Sequence, residues 1–105
     1  IIVCGGASRC HKGELNSVEV LDLASQSWGP LAPMHHGRFR ASSVLAAGHL
    51  YVWGGNGNVQ SPHRAQQLPV ASAERLNLDM GSWELLPSMC SARAQATGAV
   101  LLGVA

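Results

Sequence analysis

The chain is 105 residues long, 47% hydrophobic and 12% charged, with a formal net charge of +1 at neutral pH. So small a charge, without interleaved aromatic and basic residues, argues against a nucleic-acid binder. The longest uninterrupted apolar run falls far short of the roughly 18 residues that a membrane-spanning helix needs.

In chain order, residues 1–4 are rich in β-branched types and stop at the doublet Gly5-Gly6, so they read as a strand closed by backbone that a Cβ would forbid. A polar loop with Arg9, His11 and Lys12 follows, then a second strand at 17–23 and a short turn at 24–27. A third strand at 28–31 is bounded by Pro30 and Pro33, which suit an outer edge where amide donors are dispensable. After a loop at 34–40, which carries His35, His36, Arg38 and Arg40, a small-residue strand at 41–47 turns at Gly48 into a strand at 50–53 and a second doublet, Gly54-Gly55. The remainder reads as a long polar loop at 56–70 with Asn56, Asn58, His63 and Arg64, then strands at 73–78, 82–86 and 96–102. The turn at 79–81 and the loop at 87–93 separate them. No segment has helical periodicity, so an all-β fold of antiparallel meanders is expected.

The chain repeats itself. Glu19 and Glu74, Trp28 and Trp83, Met34 and Met89, Arg38 and Arg93, and Gly48 and Gly103 are all 55 apart, whereas the doublets are 49 apart. The six extra residues belong to the loop at 56–70. Units of this length mark a repeat architecture. The first residue is Ile and the last residues form an apolar run, so further units are expected beyond both ends.

The ordered set Gly5-Gly6, Val18-Glu19-Val20-Leu21-Asp22, Trp28, Leu31-Ala32-Pro33-Met34 and Arg38 occurs again as Gly54-Gly55, Ala73-Glu74-Arg75-Leu76-Asn77, Trp83, Leu86-Pro87-Ser88-Met89 and Arg93. It resembles the kelch motif over nearly the whole chain, with Leu21 and Leu76 where that family usually has Tyr. The resemblance implies a β-propeller fragment of about two four-stranded blades. With strands named a to d from the axis outwards, residues 1–34 would hold b to d of one blade, 35–89 a complete second blade, and 90–105 strand a of a third. Trp28 and Trp83 would be core anchors on the outer strands, beside the structural glycines Gly5, Gly6, Gly54 and Gly55. Two units do not close a ring, so completion needs more blades or self-association.

Strand alternation alone puts the b–c and d–a loops at one end of the sheets. That end gathers the candidate partner-binding residues Arg9, His11, Lys12, His36, Arg38, Arg40, Asn56, Asn58, His63, Arg64, Arg93 and Gln95, together with His35. Six basic residues fall there against the single acid Glu14, while one basic residue and five acids lie elsewhere. Four of the five histidines join them, so acidification adds positive charge. The preferred partner is therefore an acidic or phosphorylated protein segment. Arg40 and Gln95, each two residues after the repeat's Arg, occupy a position that can line the ligand pocket in related kelch receptors, whereas Arg38 and Arg93 would combine binding with loop anchoring.

The resemblance further implies substrate recognition for a cullin-3 ubiquitin ligase, recruited through a BTB domain outside this chain. An actin-associated scaffold is the alternative, and a copper-radical oxidase, for which Tyr51 is the sole tyrosine, is the remote one. The residues themselves give no enzyme. No nucleophile elbow, phosphate-cradling loop or paired carboxylates occur, and Cys4, Cys10 and His11 lack a recurrent metal-ligand spacing, so neither metal nor cofactor is expected. Three cysteines cannot all pair within one chain, which favours reduced thiols and an intracellular, cytoplasmic setting.

Overall fold

The computed structural model describes residues 1–7, 14–61 and 64–101, and for 58–61 and 64–67 the backbone only. It is all-β, with no helix among the described residues. The strands are β1 (Ile2–Cys4), β2 (Val18–Asp22), β3 (Ser27–Leu31), β4 (Ser42–Ala46), β5 (His49–Trp53), β6 (Asn56–Ser61), β7 (Arg64–Pro69), β8 (Ala73–Asn77) and β9 (Ser82–Leu86). They form a three-stranded sheet in the order β1-β2-β3, a four-stranded sheet in the order β4-β5-β8-β9, and a separate hairpin of β6 and β7, all antiparallel. This is compatible with a fragment of an all-β propeller.

Period-two alternation decides which residues meet. In β5 and β8 the residues Leu50, Val52, Glu74 and Leu76 share one face through the register pairs Leu50 with Leu76 and Val52 with Glu74, and all four are buried. Val18 and Met34 from the first unit complete this core, with Ile2, Cys4, Leu31, Ala41 and Trp83 packed around it. Each fully buried Val, Leu or Met side chain stabilises the pairing of the sheets by about 1.5–3 kcal/mol. Trp83 adds direction, since its Nε1–H donates to the Ala32 carbonyl at 2.7 Å across the boundary.

The repeat seen in the sequence recurs bond by bond. Gly5 N–H donates to Ser17 O at 2.8 Å and Gly54 N–H to Ser72 O at 3.0 Å; Gly6 N–H donates to Arg38 O at 2.7 Å and Gly55 N–H to Arg93 O at 2.8 Å. Met34 and Met89 are held in the same way, by Asn16 O and Ala71 O. A Cβ on Gly5 would fall onto the Arg38 carbonyl, and one on Gly54 onto the Arg93 carbonyl, with both backbones left-handed at φ 66° and 65°. The doublets are glycine because a neighbouring chain passes over them.

At the opposite end the turns are tight. Ala47 and Gly48, both at positive φ, join β4 to β5 in two residues, and Leu78 N–H donates to Gly48 O at 3.1 Å. Asp22 and Asn77 cap the equivalent turns by accepting backbone N–H bonds from Ala24 and Asp79 at 2.9 and 3.0 Å.

Three expectations are corrected. The loop expected at 56–70 is a hairpin, with Asn56 opposite Pro69 and Ser61 opposite Arg64. Its polar sequence lacks apolar alternation, and cross-strand backbone pairing defines it. Residues 96–101, expected as a strand, join no sheet, because a strand needs a neighbour for its amides and this stretch has none. Trp28 is not a core anchor: it is 51% exposed, on the face of the first sheet turned away from the second.

Candidate functional site

At the end of the sheets opposite the tight turns, the loops after β3 and β9 fold over the two doublets. Leu15 O accepts from Arg38 N–H at 3.0 Å and Val70 O from Arg93 N–H at 3.1 Å, so each loop is laced to the segment that follows a doublet. Phe39 exchanges a pair of backbone bonds with Asn56 at 2.8 and 3.1 Å, and Gln95 N–H donates to Arg40 O at 2.9 Å. These contacts bring His35, His36, Arg38, Arg40, Asn56, Arg93 and Gln95 together, as strand alternation required.

Their environments differ. Arg38, expected to combine partner binding with loop anchoring, is corrected on the binding part, since it has no exposed surface. Its guanidinium reaches into the second unit, donating to Gly54 O at 3.0 Å, Ser72 O at 2.8 Å and the Glu74 carboxylate at 3.0 Å. Glu74, equally buried, accepts in addition from the backbone N–H groups of His35 at 2.7 Å and His36 at 3.3 Å. A buried charge is tolerated only when partnered, and this pair, in which both Arg38 Nη atoms are bonded and Nε is left without a partner, joins loop, doublet and strand of two units. The His35 ring lies 3.2 Å from the Trp83 carbonyl.

Arg40 and Gln95 are exposed, and both hold a left-handed backbone at φ 59° and 56°. Such angles are uncommon for residues other than glycine and concentrate at functional positions. Arg40 also sits 5.5 Å from the Phe39 ring centroid, which steers its charge without consuming its donors. An open groove of about 710 Å³ runs between the units, lined by Glu14, Asn16, His36, Val70, Ser72 and Ser88 among others.

His36 and Arg93 are exposed, and Asn56 is half-buried. Asn58 lies on β6 and Arg64 on β7, which places their backbones on the hairpin. Arg9, His11, Lys12 and His63 lie outside the described residues. The sequence reading missed Glu74 as a site organiser, and it missed the groove residues Asn16, Ser72 and Ser88. The detectable signal for Glu74 was a strand carboxylate at the same point of both repeats, two residues before Leu76 on the same face.

Among the described residues, no group of three or more His, Cys, Asp or Glu side chains could hold a metal ion, and no helix is long and apolar enough to cross a membrane. Tyr51 is bonded to Arg75, whose Nη1 donates to its hydroxyl at 3.3 Å on the far face of the second sheet. Cys4 and Cys90 are free thiols, the first held up at a pKa of about 11 by burial and by the nearby Glu74 carboxylate. No protein-family model matches the chain, and no curated protein matches it.

Proposed function

We propose that this chain is a protein-interaction module, a kelch-type propeller segment whose loop end grips an acidic or phosphorylated segment of a partner. The observation that carries the reading is the pair Arg40 and Gln95: equivalent in the repeat, exposed, both left-handed, and bonded to each other through Gln95 N–H and Arg40 O. Strained backbone held in place by neighbouring hydrogen bonds presents a side chain in one direction.

Electrostatics point the same way. With Arg38 and Glu74 neutralising each other inside, the loop end still carries five basic residues in its sequence against Glu14. A face of one sign speeds capture of the opposite sign and aligns carboxylates or phosphates with guanidinium forks. The kelch resemblance makes substrate recognition for a cullin-3 ubiquitin ligase the specific role within this reading. Peptide arrays of acidic, phosphorylated, neutral and basic sequences test it. Selective retention of the acidic and phosphorylated peptides is expected, and a preference for neutral or basic ones overturns it.

A further inference from the structure

The hairpin of β6 and β7 prolongs the middle of the second sheet, since β6 follows β5, β7 leads into β8, and β5 and β8 are neighbours. It forms a sheet of its own. That sheet has two strands, so among the described residues each strand keeps one edge of backbone N–H and C=O groups that no further strand pairs.

The edge of β6 is already started. Asn56 N–H donates to Phe39 O at 2.8 Å and Phe39 N–H to Asn56 O at 3.1 Å, a closed antiparallel pair just before β4 begins. In an antiparallel strand both groups of one residue point to the same side and the side alternates, so Asn58 and Gln60 turn theirs the way Asn56 does. The opposite side confirms the parity: Gly55 O accepts from Val70 N–H at 2.9 Å, which leaves residues 57, 59 and 61 facing β7. The N–H and C=O groups of Asn58 and Gln60 therefore continue the ladder that Phe39 begins. The chain before Phe39 leaves that line, because Arg38 N–H is bonded to Leu15 O, Arg38 O accepts from Gly6 N–H, and the Arg38 side chain is buried on Glu74. By the same alternation Ala65, Gln67 and Pro69 face the outer edge of β7, where Pro69 has no N–H to offer. The β6 edge is the better template of the two.

We propose that this edge of β6 receives an extended segment of the partner protein as an added strand, antiparallel to β6 as Phe39 is and bonded to the backbone of Asn58 and Gln60. The inference rests on the reading of the loop end as an acid-binding surface and says how the bound segment is held. Arg40 stands at the foot of the edge: it follows Phe39, is exposed, and keeps its guanidinium carbon 5.5 Å from the Phe39 ring centroid. Main-chain bonds supply affinity that is indifferent to side chains, and the guanidinium selects segments that carry Glu, Asp or phosphate. Pairing along residues 57–61 takes a segment of about five residues.

The affinity of a labelled octapeptide alternating Glu and Thr tests this, measured beside versions N-methylated singly at each of the four central residues. N-methylation removes one amide donor and no charge. Losses of roughly threefold to tenfold are expected at every second position, with less than about twofold in between. On the protein, Asn58→Pro deletes an outward amide that Asn58→Ala keeps, and Gln67→Pro deletes the amide across the register on the β7 edge. With folding checked by circular dichroism, Asn58→Pro should bind the unmodified peptide roughly threefold to tenfold more weakly than Asn58→Ala, with the same salt dependence, and Gln67→Pro should bind it like wild type. The methylated peptides leave the protein unaltered, so they decide the matter should Asn58→Pro unfold the hairpin. Binding of the unmodified peptide without that alternation, or equal binding by folded Asn58→Pro and Asn58→Ala, overturns the added strand and leaves the acid-binding reading standing. No binding of the unmodified peptide overturns both.

Discussion

Arg38 and Glu74 are the charged residues that have no exposed surface among those described, and they bond to each other at 3.0 Å across the boundary between the two sheets. The Arg comes from a loop of one unit and the Glu from a strand of the next, so the pair couples the units. Removing one partner leaves the other charge buried and unpaired, at a cost of about 3–5 kcal/mol. Arg38→Ala and Glu74→Ala should each lower stability by that amount in urea unfolding. Arg38→Lys should behave more like Ala than like wild type, because a single ammonium cannot serve Gly54 O, Ser72 O and the carboxylate in the planar geometry of the guanidinium.

The two repeat tryptophans separate by burial. Trp83 packs against the core and donates to Ala32 O, whereas Trp28 is 51% exposed. In dilute solution Trp83→Ala should cost about 3 kcal/mol and Trp28→Ala about 1 kcal/mol or less, read from unfolding midpoints of the monomer.

Cys4 gives the fold an alkaline weakness. Its thiol is raised in the folded chain from 9.0 to about 11, first by burial and then by Glu74. Between these values the unfolded thiol ionises while the folded one stays protonated, so stability that is fully present below pH 9 is lost as pH rises towards 11. Unfolding midpoints followed from pH 8 to 11 should fall less steeply in Cys4→Ala than in wild type. Cys90, being exposed, should react with an alkylating reagent well before Cys4 does.

Arg40 should separate binding from folding. Glycine suits its left-handed backbone, and the relief offsets the extra freedom glycine gives the unfolded chain, so Arg40→Gly should hold stability within about 0.5 kcal/mol. Its affinity for a Glu-rich peptide should drop about threefold to tenfold. Equal loss of stability and binding would make Arg40 a structural residue.

The residues legible in the sequence were those whose chemistry is local. Gly5 and Gly54 announce themselves because the Arg38 and Arg93 carbonyls occupy the space of a Cβ, and that requirement repeats wherever the unit does. The gathering of Arg40, Asn56 and Gln95 at one end followed from strand alternation. Arg38 was different: a basic residue in a loop reads as solvated, and its burial depends on Glu74, 36 residues away. The β6–β7 hairpin escaped because polar strands leave no periodic signature. Trp28 and residues 96–101 were misjudged because a repeat motif describes a unit among neighbours, and their faces have none here.

The claim that the loop end recognises negative charge is tested most directly by the affinity of a labelled Glu-rich peptide at low and at high salt, with a Lys-rich peptide of equal length alongside. Screening over roughly 8–10 Å at physiological ionic strength should weaken the acidic peptide several-fold as salt rises, and the basic peptide should bind poorly throughout. An affinity for the acidic peptide that is indifferent to salt, or equal affinity for the two peptides, would contradict the account.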